Sequence, residues 1–244
     1  MSESTTATGR RRVLLVEDDA VIGEATAAHL ERDGYDVVWH TDGLEAWDAW
    51  RCAAPPFDLV VSDVMLPGLD GASLTRRIRE SDQVPVVLVS ARTDSLDVVG
   101  GLEAGADDYV TKPFDVQVLR ARLRNALRRS AADREATATE PAATSADGTG
   151  PETFGDLVLD RRAVQLRRGD EVLRLTPTEM RLFLELADEP GRVLSRRALL
   201  ERVWGYGDTE DDDHVVNVHV QRLRSKVGAE RVETVRGFGY RLVR

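Results

Sequence analysis

Phe57-Asp58-Leu59-Val60-Val61-Ser62-Asp63 is an apolar run that ends in an acid. Its centre is short, continuous and β-branched, which is the pattern of a strand covered on both faces in a parallel sheet. Two other sites stand at matching places. Glu17-Asp18-Asp19 follows Val13-Leu14-Leu15-Val16, and Lys112-Pro113 follows Tyr109-Val110-Thr111. Val37–Trp39 and Val86–Val89 supply two more apolar runs, the latter followed by Ser90. Amphipathic stretches near 20–33, 43–52, 70–80, 94–104 and 115–129 lie between and after these runs. The alternation predicts an α/β domain: a five-stranded, doubly wound parallel sheet. In such a sheet the carboxyl ends of the strands meet in one crevice. An acid cluster, a lone Asp, a Ser and a Lys are therefore expected on one rim.

Three carboxylates and an ammonium at a crevice have a definite chemistry. A carboxylate can attack phosphorus and form an acyl phosphate, and repulsion between anions is the obstacle. A hard cation held by neighbouring carboxylates offsets that repulsion. Mg²⁺ prefers octahedral oxygen ligands and keeps several waters, so two carboxylates and a carbonyl suffice. Asp18 and Asp63 can supply the carboxylates, Glu17 can help through a bound water, and Lys112 can pair with a phosphoryl oxygen. Each piece alone has a plainer reading. An acidic triplet caps a helix, a lone Asp starts a turn, and Lys-Pro is common in loops. Their joint occurrence on successive strand ends favours the phosphate site. Lysine usage sharpens this, because Lys112 and Lys226 are the only lysines among 33 Lys and Arg. Where arginine is the default, a lysine suggests a need for a compact point charge.

Composition bounds the rest. At 244 residues, 42% hydrophobic and 31% charged, the chain has the make-up of a globular protein with room for two domains. No stretch is long and apolar enough to cross a bilayer. Met1 to Arg12 is polar and lacks the apolar core of a signal peptide, so a cytoplasmic protein with a disordered tail over residues 1–10 is expected. Cys52 stands alone, which excludes an internal disulfide framework. The net charge of −10 looks wrong for a nucleic-acid binder, but it lies entirely before Pro151. From Pro151 onward 17 Lys and Arg balance 17 Asp and Glu, and His214 to Arg244 holds seven basic against two acidic residues. Local charge is what a DNA phosphate feels, within a Debye length of about 8 Å.

Ser130 to Pro151 has no large apolar residue and reads as a flexible linker, spanning roughly 25 Å as a coil of about 22 residues. It separates a domain over 11–129 from one over 152–244. The second opens with three strand candidates near 153–158, 163–167 and 172–175. Thr176-Pro177-Thr178-Glu179 then has the cap and early proline of a helix start. Helices are expected at about 177–188, 195–204 and 213–227. Val232 to Val243 reads as two strands around a glycine-flanked turn. Three helices followed by a hairpin outline an α+β winged helix-turn-helix. In the last helix Val216, Val220, Leu223 and Val227 share a stripe that should face the core. The opposite face then presents His214, Asn217, Val218, Gln221, Arg222 and Ser225, with Arg224 on a flank. A major groove admits such a helix. Arg222 would pair with guanine, Gln221 or Asn217 with adenine, and Val218 with a thymine methyl, while Arg236 in the wing would enter the minor groove. A solvated basic helix is the plainer alternative.

Residues 11–129 resemble the receiver domain of bacterial two-component response regulators. The resemblance rests on Val-Glu-Asp-Asp at 16–19, Ser-Asp-Val-Met-Leu-Pro-Gly-Leu-Asp-Gly at 62–71, Ser-Ala-Arg at 90–92 and Gly-Ala-Asp-Asp-Tyr-Val-Thr-Lys-Pro-Phe at 105–114. It implies a CheY-like fold in which Asp63 accepts phosphate from a sensor histidine kinase. It implies Mg²⁺ held by Asp18, Asp63 and the Met65 carbonyl with Glu17 nearby, and a cis Lys112-Pro113 bond. Ser90 and Tyr109 become a switch pair, with Ser90 turning to the phosphate and Tyr109 rotating inward. The family's active receivers form homodimers through the fourth helix, fifth strand and fifth helix. Asp107, Asp108 and Arg122 match charged positions of that face, whereas Val98 and Val118 fall where relatives often carry Arg and Glu, so an apolar pair replaces a salt bridge.

Residues 153–244 resemble the OmpR/PhoB-type effector domain, through Leu-Thr-Pro-Thr-Glu at 175–179, Val-Val-Asn-Val-His-Val-Gln-Arg-Leu-Arg at 215–224 and Thr-Val-Arg-Gly-Phe-Gly-Tyr-Arg at 234–241. Double-stranded DNA is the implied partner. His214 and Asn217 stand where relatives commonly have Arg and Asp, so no relative's target sequence transfers. The acidic loop Asp208 to Asp213 has two readings, a face for RNA polymerase or a solvated charged loop. The expectation is a phosphorylation-dependent transcription regulator, not an enzyme. A constitutive DNA-binding regulator with a phosphorylation-independent receiver is the alternative. An aspartate-nucleophile phosphatase is disfavoured, because it needs a second Asp two residues after the nucleophile, where Met65 stands.

Overall fold

The computed structural model describes residues 10–91, 100–138, 150–206 and 213–244. They form two compact units divided between Leu123 and Arg124.

The first unit alternates strand and helix: β1 (Arg12–Val16), α1 (Ala20–Arg32), β2 (Asp36–His40), α2 (Gly43–Arg51), β3 (Leu59–Asp63), α3 (Gly71–Ser81) and β4 (Val86–Ala91). The described end of α4 (residues 100–103) and β5 (Asp108–Lys112) follow, and α5 (Val116–Ala138) runs across the division at Leu123. All strand pairs are parallel, in the order β2-β1-β3-β4-β5. The order reverses between β1 and β3, which opens a crevice at their carboxyl ends. Val13, Leu14, Val16, Leu59, Val60, Val61, Val86 and Val87 are fully buried, because helices cover both faces of the sheet. Each such side chain contributes about 1.5–3 kcal/mol of burial. Aspartates start three of the helices. Asp19, Asp42 and Asp70 each accept backbone N–H bonds from the first turn of α1, α2 and α3.

One boundary differs from expectation. Helix α5 runs to Ala138, nine residues beyond the predicted end at 129 and into the stretch read as coil. Ser130-Ala-Ala-Asp-Arg-Glu-Ala-Thr-Ala138 has no Gly or Pro and four alanines, so propensity extends a helix already nucleated by packing. The lack of apolar residues argued only against a core.

After the end of α5 the second unit holds an antiparallel meander: β6 (Glu152–Phe154), β7 (Leu157–Asp160), β8 (Gln165–Arg168) and β9 (Glu171–Val172). Four strands replace the three expected, because the 153–158 candidate folds back at Gly155-Asp156. Phe154 pairs with Leu157 and Gly155 takes φ +63°, a conformation that costs glycine little. Helix α6 (Pro177–Asp188) begins at a complete capping box between Thr176 and Glu179. Helix α7 (Arg196–Leu199) widens into a π turn, Leu200–Trp204. Helix α8 (Asp213–Val227) and the hairpin β10 (Val232–Val235) and β11 (Gly239–Leu242) complete the unit. Phe154 and Phe183 meet edge to face at 5.7 Å, and Trp204, Val216, Val220, Leu223 and Val227 are fully buried. The architecture is a CheY-like receiver followed by a domain of three helices and antiparallel sheets.

Candidate functional site

The crevice at the ends of β1, β3 and β5 gathers the acids and the lysine. Asp63 and Lys112 are the last residues of β3 and β5, and Glu17 directly follows β1. Glu17, Asp18 and Asp63 each bring one carboxylate oxygen within 4.8 Å of the others. Glu17 and Asp63 are buried, whereas Asp18 is open to solvent. The Lys112 ammonium donates to Glu17 at 2.7 Å and to Asp63 Oδ2. The other Asp63 oxygen accepts the backbone N–H of Met65 at 2.9 Å. Gly71 is required beside it, since a Cβ there would fall 2.0 Å from the Asp63 carbonyl oxygen.

The electrostatics follow from that crowding. Burial pushes the Glu17 carboxyl above its ordinary value against the pull of Lys112, and the Asp63 charge adds to the rise. Burial works to lower Lys112, but its hydrogen bonds to Asp63 and Glu17 outweigh it and raise the ammonium. The result is an anionic pocket with one internal cation. Its donors are all oxygen, with no His or Cys among them, which fits a hard dication such as Mg²⁺ and not a soft metal. Ser90 lies buried on β4, and the Lys112-Pro113 bond is cis.

A family model described as "Response regulator receiver domain" matches residues 13–124, and one described as "Transcriptional regulatory protein, C terminal" matches residues 169–242. The chain is 57% identical to the transcriptional regulatory protein CseB of Streptomyces coelicolor over 230 residues, covering 94% of this chain and 97% of that protein. It is 42% identical to the DNA-binding response regulator MtrA of Mycobacterium tuberculosis over 239 residues, covering 96% and 97%. The chain belongs to the two-component response regulators of the OmpR/PhoB type. The solved structure of a RitR mutant matches 95% of this chain and 98% of its own with a TM-score of 0.68; at 24% identity it supports the fold alone.

As a response regulator the chain pairs its receiver with a DNA-binding effector domain. The effector's surface departs from the helical-wheel reading. The stripe Val216, Val220, Leu223 and Val227 does face the core, and His214, Gln221 and Ser225 are exposed. Val218, expected to touch a thymine methyl, is only 9% exposed. Arg222, expected to read guanine, turns inward: its Nη2 lies 2.8 Å from Oε1 of the fully buried Glu179, and its side chain is 12% exposed. Lys226 reaches the other oxygen of the same carboxylate. Arg224 holds the wing, donating to the Val232 carbonyl at 2.7 Å and to Thr234 Oγ1 at 2.7 Å. Asn217 accepts from Arg196 Nε at 2.8 Å and from the Tyr240 hydroxyl at 2.7 Å, which ties α8 to α7 and β11. A helical wheel assigns directions, and long side chains bend back to satisfy a buried charge. Arg236 and Phe238 stand exposed at the hairpin tip.

The residues assigned to a dimer face also have partners within the chain. Asp107 pairs with Arg79 at 2.7 Å and accepts the Val86 N–H at 2.9 Å. Asp108, fully buried, pairs with Arg122 at 2.9 Å. The Arg122 guanidinium lies 5.9 Å from the centre of the Tyr109 ring, which is itself turned in and buried. Val118 is exposed, while Val98 and the acidic loop before α8, at residues 208–212, lie outside the described residues.

Sequence reading missed Glu179 as the anchor for two cations of α8. Its place in a capping box was legible; its charge partners, more than 40 residues away, were not.

Proposed function

We propose that this response regulator accepts a phosphoryl group on Asp63 from a sensor histidine kinase and thereby controls its binding to DNA. The observation that carries the reading is the convergence of Glu17, Asp18, Asp63 and Lys112 at the switch point of the sheet. Asp63 presents Oδ2 to the ammonium while Met65 N–H holds Oδ1, so the carboxylate is oriented before a donor arrives. Its oxygen forms a bond to phosphorus as the donor's P–N bond breaks, and the leaving imidazole takes a proton. Lys112 then pairs with a phosphoryl oxygen. Glu17, Asp18, Asp63 and the Met65 carbonyl would hold Mg²⁺, which supplies neutralising charge to the transferring group. Ser90 and Tyr109 act as the switch pair that reports the new anion, shifting an existing equilibrium between inactive and active receivers.

The phosphorylated receiver (residues 11–129) dimerises through the α4, β5 and α5 face, with Val118 as an exposed apolar residue of α5. Residues 130–151, helical as far as Ala138, tether the effector domain at 152–244 and raise its local concentration at paired half-sites. DNA is met by His214, Gln221 and Asn217 on α8, with Arg236 at the wing. The protein works in the cytoplasm and carries out no turnover of phosphate monoesters. For the acidic stretch Asp208 to Asp213 both readings stand, contact with RNA polymerase or a solvated charged segment.

The test is labelling of the full chain with acetyl phosphate, with and without Mg²⁺. Mg²⁺-dependent, acid-stable and base-labile label that tightens operator binding supports the reading. DNA binding of equal affinity with and without the phosphodonor would favour the constitutive alternative.

A further inference from the structure

Glu17 and Asp18 are consecutive, yet both direct carboxylates to the point that Asp63 faces. Successive side chains of an extended strand point to opposite sides, so the backbone must leave the strand at this place, and it bends at Asp18. The ladder between β1 and β2 ends with Val16 opposite His40, and Glu17 N–H still donates to the His40 carbonyl at 3.0 Å. β2 stops there, so no strand residue remains to donate to the Glu17 carbonyl. Trp39 fills that role from the side: its indole Nε1–H reaches the Glu17 carbonyl at 2.9 Å. Glu17 is thus held at both its backbone N–H and its C=O by neighbouring residues of one strand.

The indole is itself held. Gly23 of α1 faces the ring so closely that an added Cβ would fall 2.3 Å from a ring carbon and 2.8 Å from Nε1. Helix α1 therefore gives up a side chain at a buried position to seat the indole. A glycine in a helix interior costs about 1 kcal/mol relative to alanine, and the space it leaves is filled by the group that grips the acidic turn.

We infer that Trp39 is a positioning residue for the acid cluster: through the Glu17 carbonyl it sets the bend that lets two consecutive carboxylates converge on one cation. The inference rests on the proposed Mg²⁺ site. Trp39 touches neither the metal nor the phosphoryl group, and acts as outer partners of metal ligands do, by fixing the orientation of the groups that bind.

Two variants of the full chain test it, each read by isothermal titration with MgCl₂ alone. Trp39→Phe keeps an aromatic ring and removes the N–H. Gly23→Ala leaves Trp39 in place and displaces its ring. Each is expected to raise the Mg²⁺ dissociation constant by about tenfold. Acetyl-phosphate labelling should still reach the wild-type end point once Mg²⁺ is saturating, so that the loss lies in metal affinity and not in the transfer. A folded Trp39→Phe variant with an unchanged dissociation constant overturns the inference, even if its melting temperature falls, because a purely structural role moves stability alone. Trp39→Phe decides the matter alone if Gly23→Ala does not fold. Absence of Mg²⁺ binding by the wild-type chain is a distinct result, which removes the metal site and the inference with it.

Discussion

The receiver crevice and the outer face of α8 are both rims of polar side chains, and they are assembled in opposite ways. In the crevice, groups from three strands spend their charge on one another and on a shared point: Lys112 bridges Glu17 and Asp63, and Asp18 completes the set. On α8 the charge is directed away from the surface. Arg222 and Lys226 turn to Glu179, Arg224 turns to the wing, and Asn217 binds Arg196 and Tyr240. Convergence gathers charge at one point, as the proposed Mg²⁺ site requires. Inward pairing marks a scaffold that holds a few outward side chains at a fixed angle.

The largest expected effect breaks the first half of that contrast. Asp63→Asn should abolish phosphoryl labelling by acetyl phosphate or by a kinase. Label retained at the wild-type stoichiometry would move the acceptor elsewhere.

The second half is broken most directly at Glu179. Glu179→Ala leaves Arg222 and Lys226 without their buried partner and opens the capping box of α6. A loss of about 3–5 kcal/mol in effector-domain unfolding is expected in urea titration. A loss under about 1 kcal/mol is what exposed pairs give, and would return both cations to the surface as candidates for DNA.

Smaller effects separate holding from reading. Gln221→Ala should weaken binding to the specific site by about 1–3 kcal/mol if its amide reads adenine. Arg236→Ala should weaken all sequences alike and lower the salt dependence of binding by about one phosphate. Arg222→Ala should lower stability and leave base preference unchanged. An altered preference profile in a selection from random DNA would restore Arg222 as a reader.

The smallest effect concerns pH. The folded Glu17 carboxyl lies above its ordinary value of 4.5, so its contribution to stability is fullest below that value. That contribution is lost as pH rises through the folded pKa. Glu17→Gln cannot ionise. It should therefore be slightly more stable than wild type at neutral pH without metal, and should match it in acid. Thermal unfolding across pH 4 to 8 checks the sign, and a variant less stable at pH 7 would show that Lys112 dominates the pocket.

What the sequence made legible follows the same division. The receiver strands, and the meeting of their end residues, could be read because two of the apolar runs end on a charged side chain: Asp63 after Val61-Ser62, Lys112 after Val110-Thr111. The span of α8 and its core stripe were also legible, since both depend on local periodicity. The partners of Arg222, Arg224 and Asn217 were not, because tertiary packing sets them and the chain between carries no sign of it. The same holds for Trp39, read as part of an apolar run, whose indole serves the neighbouring strand's end. At α5 the error ran the other way. Local propensity was the stronger signal, and a domain-level argument about linkers obscured it.

The buried carboxylate of Glu179 has an evolutionary consequence. One acid closes the start of α6 through the Thr176 backbone and fastens two cations of α8. Descendants of this regulator that acquire new operators would be expected to change His214, Gln221 or the wing tip and to leave Arg222 and Lys226 alone. Paralogues would then diverge in target while keeping the same pitch of the reading head on its duplex.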